Sequence, residues 1–238
     1  MKRYIKSAVA KLSSEPIETQ FELIESGIED PGTLDDLANS YDVRIRTAVA
    51  ENKNTSADTL DRLASDRSNC VVEAVIKNPS VSPNTLMRLA SNSDLNTRIM
   101  VIRSKNCNSD VLGFMADDDE DTIRRTVAMK TSDLGLLNTL SDDIEPDVRY
   151  EVACSRFVTS ELLHKLSTDE DSYVRRAVAN NYATDKADLI AMSDDQDPMV
   201  RWYVARNPNT PKKILVKLSN DDDELVANVA SYNIGGNR

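Results

Sequence analysis

Apolar residues recur along this chain with a period of about 26 residues. A leucine followed three positions later by a second large apolar side chain appears as Leu34/Leu37, Leu60/Leu63, Leu86/Leu89, Leu112/Met115, Leu137/Leu140, Leu163/Leu166, Leu189/Met192 and Leu215/Leu218. Successive spacings are 26, 26, 26, 25, 26, 26 and 26. A second column lies about ten residues farther on, at Ile45/Val49, Val71/Val75, Thr97/Val101, Ile123/Val127, Val148/Val152, Val174/Val178, Val200/Val204 and, less regularly, Leu225/Val229. Intervals of three and four, as in Val174, Ala177 and Val178, are those of one helix face. A unit of this length holds two helices of two to three turns. Helix A carries the leucine pair and helix B the valine pair, in eight units.

End signals agree with this division. Ser82-Pro83 and Thr210-Pro211 each offer a hydroxyl N-cap followed by proline at the first helical position. Helix B runs into Asn52, Asn78, Asn181 or Asn207, and asparagine best tolerates a left-handed C-cap after glycine. Pro79 and Pro208 then stop the helix. Residues 1–33 break the period: Ile5, Ala8, Val9 and Leu12 form a helix-B-like stripe, and Ile17, Phe21 and Ile24 follow Pro16. They predict an N-terminal helical cap. Residues 34–238 are expected to continue from it as one stack, because no single unit can bury its own stripe. Thr97, Ile99 and Met100 make the third unit the least regular, and a hinge there would divide the stack.

The run Val200-Arg201-Trp202-Tyr203-Val204-Ala205-Arg206-Asn207-Pro208-Asn209-Thr210-Pro211, followed by Leu215 and Leu218, resembles the leucine-rich repeat variant family. The same frame recurs at Ile45–Leu63 and Val174–Met192, and the resemblance spans residues 34 to about 232. It implies an all-α, right-handed α-solenoid of about eight 25–26-residue, two-helix, HEAT-like repeats with an N-terminal helical cap, serving as an interaction scaffold. It names no partner, because repeat folds host unrelated functions. Some members of the family carry an N-terminal cysteine cluster for an iron–sulfur centre. The first cysteine here is Cys70, so that cofactor is not carried over and none is expected.

Composition narrows the function. The chain has 29 Lys+Arg against 40 Asp+Glu, a net charge of −11, which disfavours a broad polyanion-binding surface. Six glycines are too few for phosphate-cradling loops. His164 is the one histidine, and Cys70, Cys107 and Cys154 form no CxxC pair, so neither a histidine-based zinc site nor a disulfide framework is expected. Lys6 and Lys11 interrupt any apolar leader, and no apolar run approaches the ~18 residues of a membrane span. The expected location is the cytoplasm, with no membrane partner.

The position after the first apolar residue of helix B is Arg46, Arg98, Arg124, Arg149, Arg175 or Arg201 in six units, and acidic turns precede most of these helices. Capping and an arginine–carboxylate ladder account for both. Calcium sites would need a glycine at the bend of the turn, and these turns have none.

The third and seventh residues of helix B fall opposite the buried stripe at about 100° per residue. From Ile99 to Arg206 that column holds Arg103, Arg125, Tyr150, Arg176, Trp202 and Arg206 with no acid among them. These six are the candidate partner-binding residues, suited to a protein with an acidic segment. Packing among neighbouring helices is the plainer account of the same column. Nucleic acid is the alternative ligand, as in HEAT-like alkylpurine DNA glycosylases, but the acidic turns would repel it. Glycosylase chemistry also needs a carboxylate, and the column lacks one between Glu73 and Arg206, so enzymatic activity is not expected. A third reading has the acidic edge mimic a phosphate backbone as an inhibitor would. His164 reads as a surface residue without a base partner, and Cys154 as an exposed thiol.

Overall fold

The computed structural model describes residues 12–235, and the stripe of Ile5, Ala8 and Val9 lies outside them. Among the described residues there are 17 α-helices, a short 3₁₀ turn at Leu12–Ser14, and no strand. Helix α1 (Ile17–Glu25) precedes eight A/B pairs: α2 (Pro31–Leu37) and α3 (Val43–Glu51), α4 (Ala57–Leu63) and α5 (Asn69–Lys77), α6 (Pro83–Leu89) and α7 (Leu95–Arg103), α8 (Ser109–Met115) and α9 (Asp121–Lys130), α10 (Leu134–Leu140) and α11 (Pro146–Cys154), α12 (Ser160–Leu166) and α13 (Ser172–Asn180), α14 (Lys186–Met192) and α15 (Pro198–Arg206), α16 (Lys212–Leu218) and α17 (Glu224–Ile234).

The chain forms two compact units, residues 1–114 and 115–238, divided one helix beyond Thr97. Inside each unit, successive B helices pack directly on one another and on the adjoining A helices, whereas A helices keep farther apart. In the first unit α1 takes the place of a B helix ahead of α3. The buried Gln20 amide there donates to the Ser13 and Glu15 carbonyls. Both repeating columns form the core: Leu34, Ile45, Val49, Leu60, Leu163, Val174, Val178 and Val204 are fully buried.

Two details of the helix ends differ from the sequence expectation. Ser82 does cap α6, accepting the Thr85 N–H with Pro83 behind it, but α16 begins at Lys212 with Pro211 at its N-cap. The Thr210 hydroxyl instead donates to the Val204 carbonyl at 2.5 Å, as Thr55 does to Val49 and Thr184 to Val178. It gives a second donor to a last-turn carbonyl of helix B that otherwise accepts only the N–H of the asparagine at the C-cap, 3.2 Å away in the case of Asn207 and Val204. The terminal asparagines are not left-handed either: Asn52, Asn78, Asn181 and Asn207 have φ of −69°, −66°, −75° and −67°.

What selects asparagine is its side-chain amide. Asn207 Nδ2 donates to the Ala179 and Asn181 carbonyls of the preceding repeat at 2.8 and 2.9 Å, while its Oδ1 accepts the Asn209 N–H at 2.9 Å. Asn78 does the same toward Ala50, Asn52 and Ser80. Asn52 reaches back to the Ile28 carbonyl and so ties the first repeat to the segment after α1. Donor and acceptor on one short side chain are both required. Asn233 closes the series on Ala205 and lies 26 residues beyond Asn207, which corrects the last repeat: its buried pair is Val226/Ala230, whereas Leu225 is 63% exposed.

On the opposite edge the expected ladder is present. Arg175 Nε and Nη2 donate to both oxygens of Asp195 in the next repeat at 2.7 and 2.9 Å. Its Nη1 donates to the Asp169 and Glu170 carbonyls of the turn before it, and Asp195 also accepts the Asp197 N–H. Arg46–Asp66 repeats this fork in the first unit, and Arg124–Asp143, Arg149–Asp169 and Arg201–Asp221 repeat it in the second. The ladder position of the last repeat is Ala227, where the second unit's run ends.

Because Arg175 and Asp195 are both nearly buried, Arg175→Ala is expected to cost about 3 kcal/mol by urea unfolding, and the double variant Arg175→Met/Asp195→Leu much less than the two single changes together. Asn207→Ala is expected to cost about 1–3 kcal/mol, against no more than about 0.5 for Asn180→Ala on the exposed face. The Arg201 guanidinium holds the Asp221 carboxyl below its ordinary 3.8, so its contribution is present above that value and lost as pH falls through the folded one. The drop in urea midpoint on acidification below about pH 4 is therefore expected to be shallower in Asp221→Asn than in the wild type.

Candidate interaction surface

In the second unit the outward positions of the B helices are Arg125 and Met129 on α9, Tyr150 and Cys154 on α11, Arg176 and Asn180 on α13, and Trp202 and Arg206 on α15. With the register of the last repeat corrected, Asn228 and Tyr232 on α17 complete the row, and Tyr232 is 61% exposed. Arg103 sits on α7 of the first unit, exposed and without an ion pair among the described residues. The other five candidates share one B-helix row.

The row is less basic than its column of residues. Arg125 Nη2 lies 2.8 Å from Glu151 Oε1 on the next B helix, with its Nε at 2.9 Å from the same oxygen. Arg176 Nη2 lies 2.6 Å from Asp197, the residue that caps α15, and its guanidinium also covers the Tyr173 ring at 4.5 Å. Burial pushes the Asp197 carboxyl up, but the Met199 N–H and the Arg176 guanidinium outweigh it and hold the group below the carboxylate range. The column itself carries no acid, but carboxylates one position aside and in the following turn neutralise two of its arginines. Packing thus explains part of the pattern.

Around Trp202 the surface is different. Tyr203 meets it edge to face with ring centroids 5.0 Å apart, and the Arg206 guanidinium lies 5.3 Å from the indole centroid. Arg206 is exposed and makes no ion pair among the described residues. Tyr150 shares a hydrogen bond with Cys154 that is the main cause of its phenol being pushed up to about 12, with Tyr203 close enough to add to the shift. Between them α13 carries the small, buried Ala177. Burial pushes the Cys154 thiol up as well, more than its Tyr150 hydrogen bond lowers it, so the group is a protonated thiol at neutral pH. Tyr173, Tyr203 and Tyr232 were not among the candidates. The 26-residue step from Asn207 to Asn233 carried the signal for Tyr232, while Tyr203 lies one position off the column.

His164 is exposed as expected, yet it does have a carboxylate partner: Nδ1 lies 2.7 Å from Oδ1 of the buried Asp188 on α14. Its other ring nitrogen has no hydrogen-bond partner among the described residues. Within those residues no group of three or more His, Cys, Asp or Glu side chains is placed to hold a metal ion, and no helix is long and apolar enough to cross a membrane.

The family model described as leucine rich repeat variant matches residues 43–68, which contain α3 and α4 with their connecting turns. Among solved structures, a leucine-rich repeat variant with a novel repetitive protein structural motif aligns at a TM-score of 0.67 and 21% identity, covering 86% of this chain and 86% of that one. A crystallised engineered protein aligns at 0.45 and 14% identity over 94% and 81% of the two chains. Computationally designed armadillo repeat proteins for modular peptide recognition align at 0.17 and 14% identity over 94% and 88%. No curated protein matches. Residues 43–68 thus match the leucine rich repeat variant model, and the chain shares the all-helical repeat fold of that solved structure, as the resemblance in its sequence implied.

The Asp188 hydrogen bond raises the His164 pKa, so this pair contributes stability below the unfolded value of 6.5 and loses it as pH rises through the folded one. The urea midpoint of the wild type is expected to fall between pH 5.5 and 8.5 by an increment that His164→Gln removes.

Proposed function

We propose that this protein is a non-enzymatic repeat scaffold of the cytoplasm that binds a protein partner across the outward face of its B helices in residues 115–238. The observation that carries this reading is the cluster of Trp202, Tyr203 and Arg206 on α15, flanked by Tyr150, Tyr173, Arg176 and Tyr232 on neighbouring B helices. Aromatic residues and arginine dominate interface energies, and few aromatics exist in this chain: one Trp, seven Tyr and three Phe. Five of them lie on one B-helix face, and Tyr173 and Tyr232 there are 62% and 61% exposed, which favours a binding role.

Nucleic acid is the weaker reading. Phosphate binding draws on free cations, and Arg125 and Arg176 already hold carboxylates. Arg103 stays in the proposal as a contact on the first unit's own B face, and Arg125 and Arg176 as residues that shape the row.

Immobilised wild type, Trp202→Ala and Arg206→Glu are each to be exposed to nuclease-treated native lysate and their retained proteins quantified. The expected result is at least a tenfold loss of specific partners from both variants with unchanged thermal unfolding. Equal retention by all three, or retention that depends on added nucleic acid, overturns the proposal.

A further inference from the structure

Resting on that reading, we infer that the segment bound at this face is a largely apolar peptide carrying a single carboxylate for Arg206, not a run of acidic residues. The argument begins with which cations are available. Arg125 and Arg176 point at Glu151 and Asp197, whose side chains are 12% exposed each. A ligand carboxylate that took either arginine would leave a largely desolvated carboxylate of the protein without its counter-ion, and that outcome is strongly unfavourable. A polyacidic ligand would also run alongside these two carboxylates and Asp147, all of its own sign.

Arg206 is the exception within this row. Its guanidinium is held against the Trp202 indole, and such stacking leaves the in-plane N–H fork open for bidentate contact with a carboxylate. Beside it Trp202 and Tyr203 are half-buried rings that meet edge to face, and Tyr150 on α11 is half-buried as well, so the neighbourhood of Arg206 is apolar and aromatic. The Tyr150 phenol is already hydrogen-bonded to Cys154 and stays neutral, so it adds no charge there. The Arg206 guanidinium lies 5.3 Å from the Trp202 ring centroid, less than the roughly 7 Å between side chains two residues apart in a strand, so the acid and the apolar side chain that meet them lie close together in the bound segment. The recognised pattern is therefore one Asp or Glu with an aromatic residue, proline or leucine close beside it in sequence.

One ion pair at an exposed site gives a shallow dependence on salt, so Kd is expected to rise no more than about fivefold between about 0.05 and 0.5 M NaCl. The test is a random twelve-residue peptide display library panned on the full chain, followed by fluorescence anisotropy of selected synthetic peptides. Support consists of enriched peptides with a single acid close in sequence to an aromatic, proline or leucine, a loss of about tenfold or more on Trp202→Ala, and recovery of binding to Arg206→Glu when the peptide's acid is changed to lysine.

Peptides that require Trp202 but carry three or more acids, with Kd rising steeply with salt, would overturn this inference and leave the binding face standing. Enriched peptides that bind wild type and Trp202→Ala equally, or the absence of any enrichment, would overturn both. Arg206 is exposed, so Arg206→Glu provides a readout even where Trp202→Ala unfolds more easily.

Discussion

A helix pair of this length has one apolar face and nothing of its own to cover it, so the contact between one repeat and the next is the interaction on which everything else in this molecule depends. Burial supplies most of its strength but little of its precision, because a stripe of valines and leucines can slide. Two polar bridges set the register. On one edge the arginine fork grips the aspartate of the following repeat, and on the other the terminal asparagine grips carbonyls of the preceding one. Each bridge satisfies backbone or side-chain groups that would otherwise be desolvated without partners. A slip by one residue breaks both at once.

The same bridges determine what remains free for binding. Many of the acids of the chain lie in the turns before the B helices, and there they cap helices and accept arginine forks. An acidic edge is thus a consequence of holding repeats together and needs no ligand to explain it. The outward B positions are under no comparable demand. Some of their side chains still find partners, as Arg125 and Arg176 do, because long cations beside a carboxylate on the next helix pair with it. Arg206 lies over Trp202 and makes no ion pair among the described residues, which leaves its donor edge available.

The first and last repeats described vary these bridges. At the start, α1 substitutes for a B helix, and Asn52 is bonded to the Ile28 carbonyl in the way inner asparagines bond to inner repeats. At the far end of the second unit, the ladder position becomes Ala227 while the backward-facing Asn233 is retained. The repeat of α16 and α17 thus keeps the bridge to the repeat before it and has alanine at the position of the arginine fork. The A helices carry a further, variable contact, Thr59 to Asp35 in one pair and His164 to Asp188 in another, so their chemistry differs from repeat to repeat while the fold does not.

Periodicity by itself determined the helices, their pairing into repeats and the residues of the core, because burying an apolar stripe at helical spacing allows few other arrangements. It also located the arginine and aspartate columns, since charged residues of opposite sign at constant offsets have an evident mutual use. Only the tertiary structure decided how the asparagines act, since their backbone is ordinary and their function lies in carbonyls 26 to 28 residues earlier. Only it showed that Glu151 and Asp197 neutralise arginines of the outward row and that Asp188 meets His164. The reason is common to all of these: a side chain's neighbour across a stack is set by helix rotation and by a register of single residues. Period alone leaves those quantities open by about one position, and one position on a helix is a turn of about 100°.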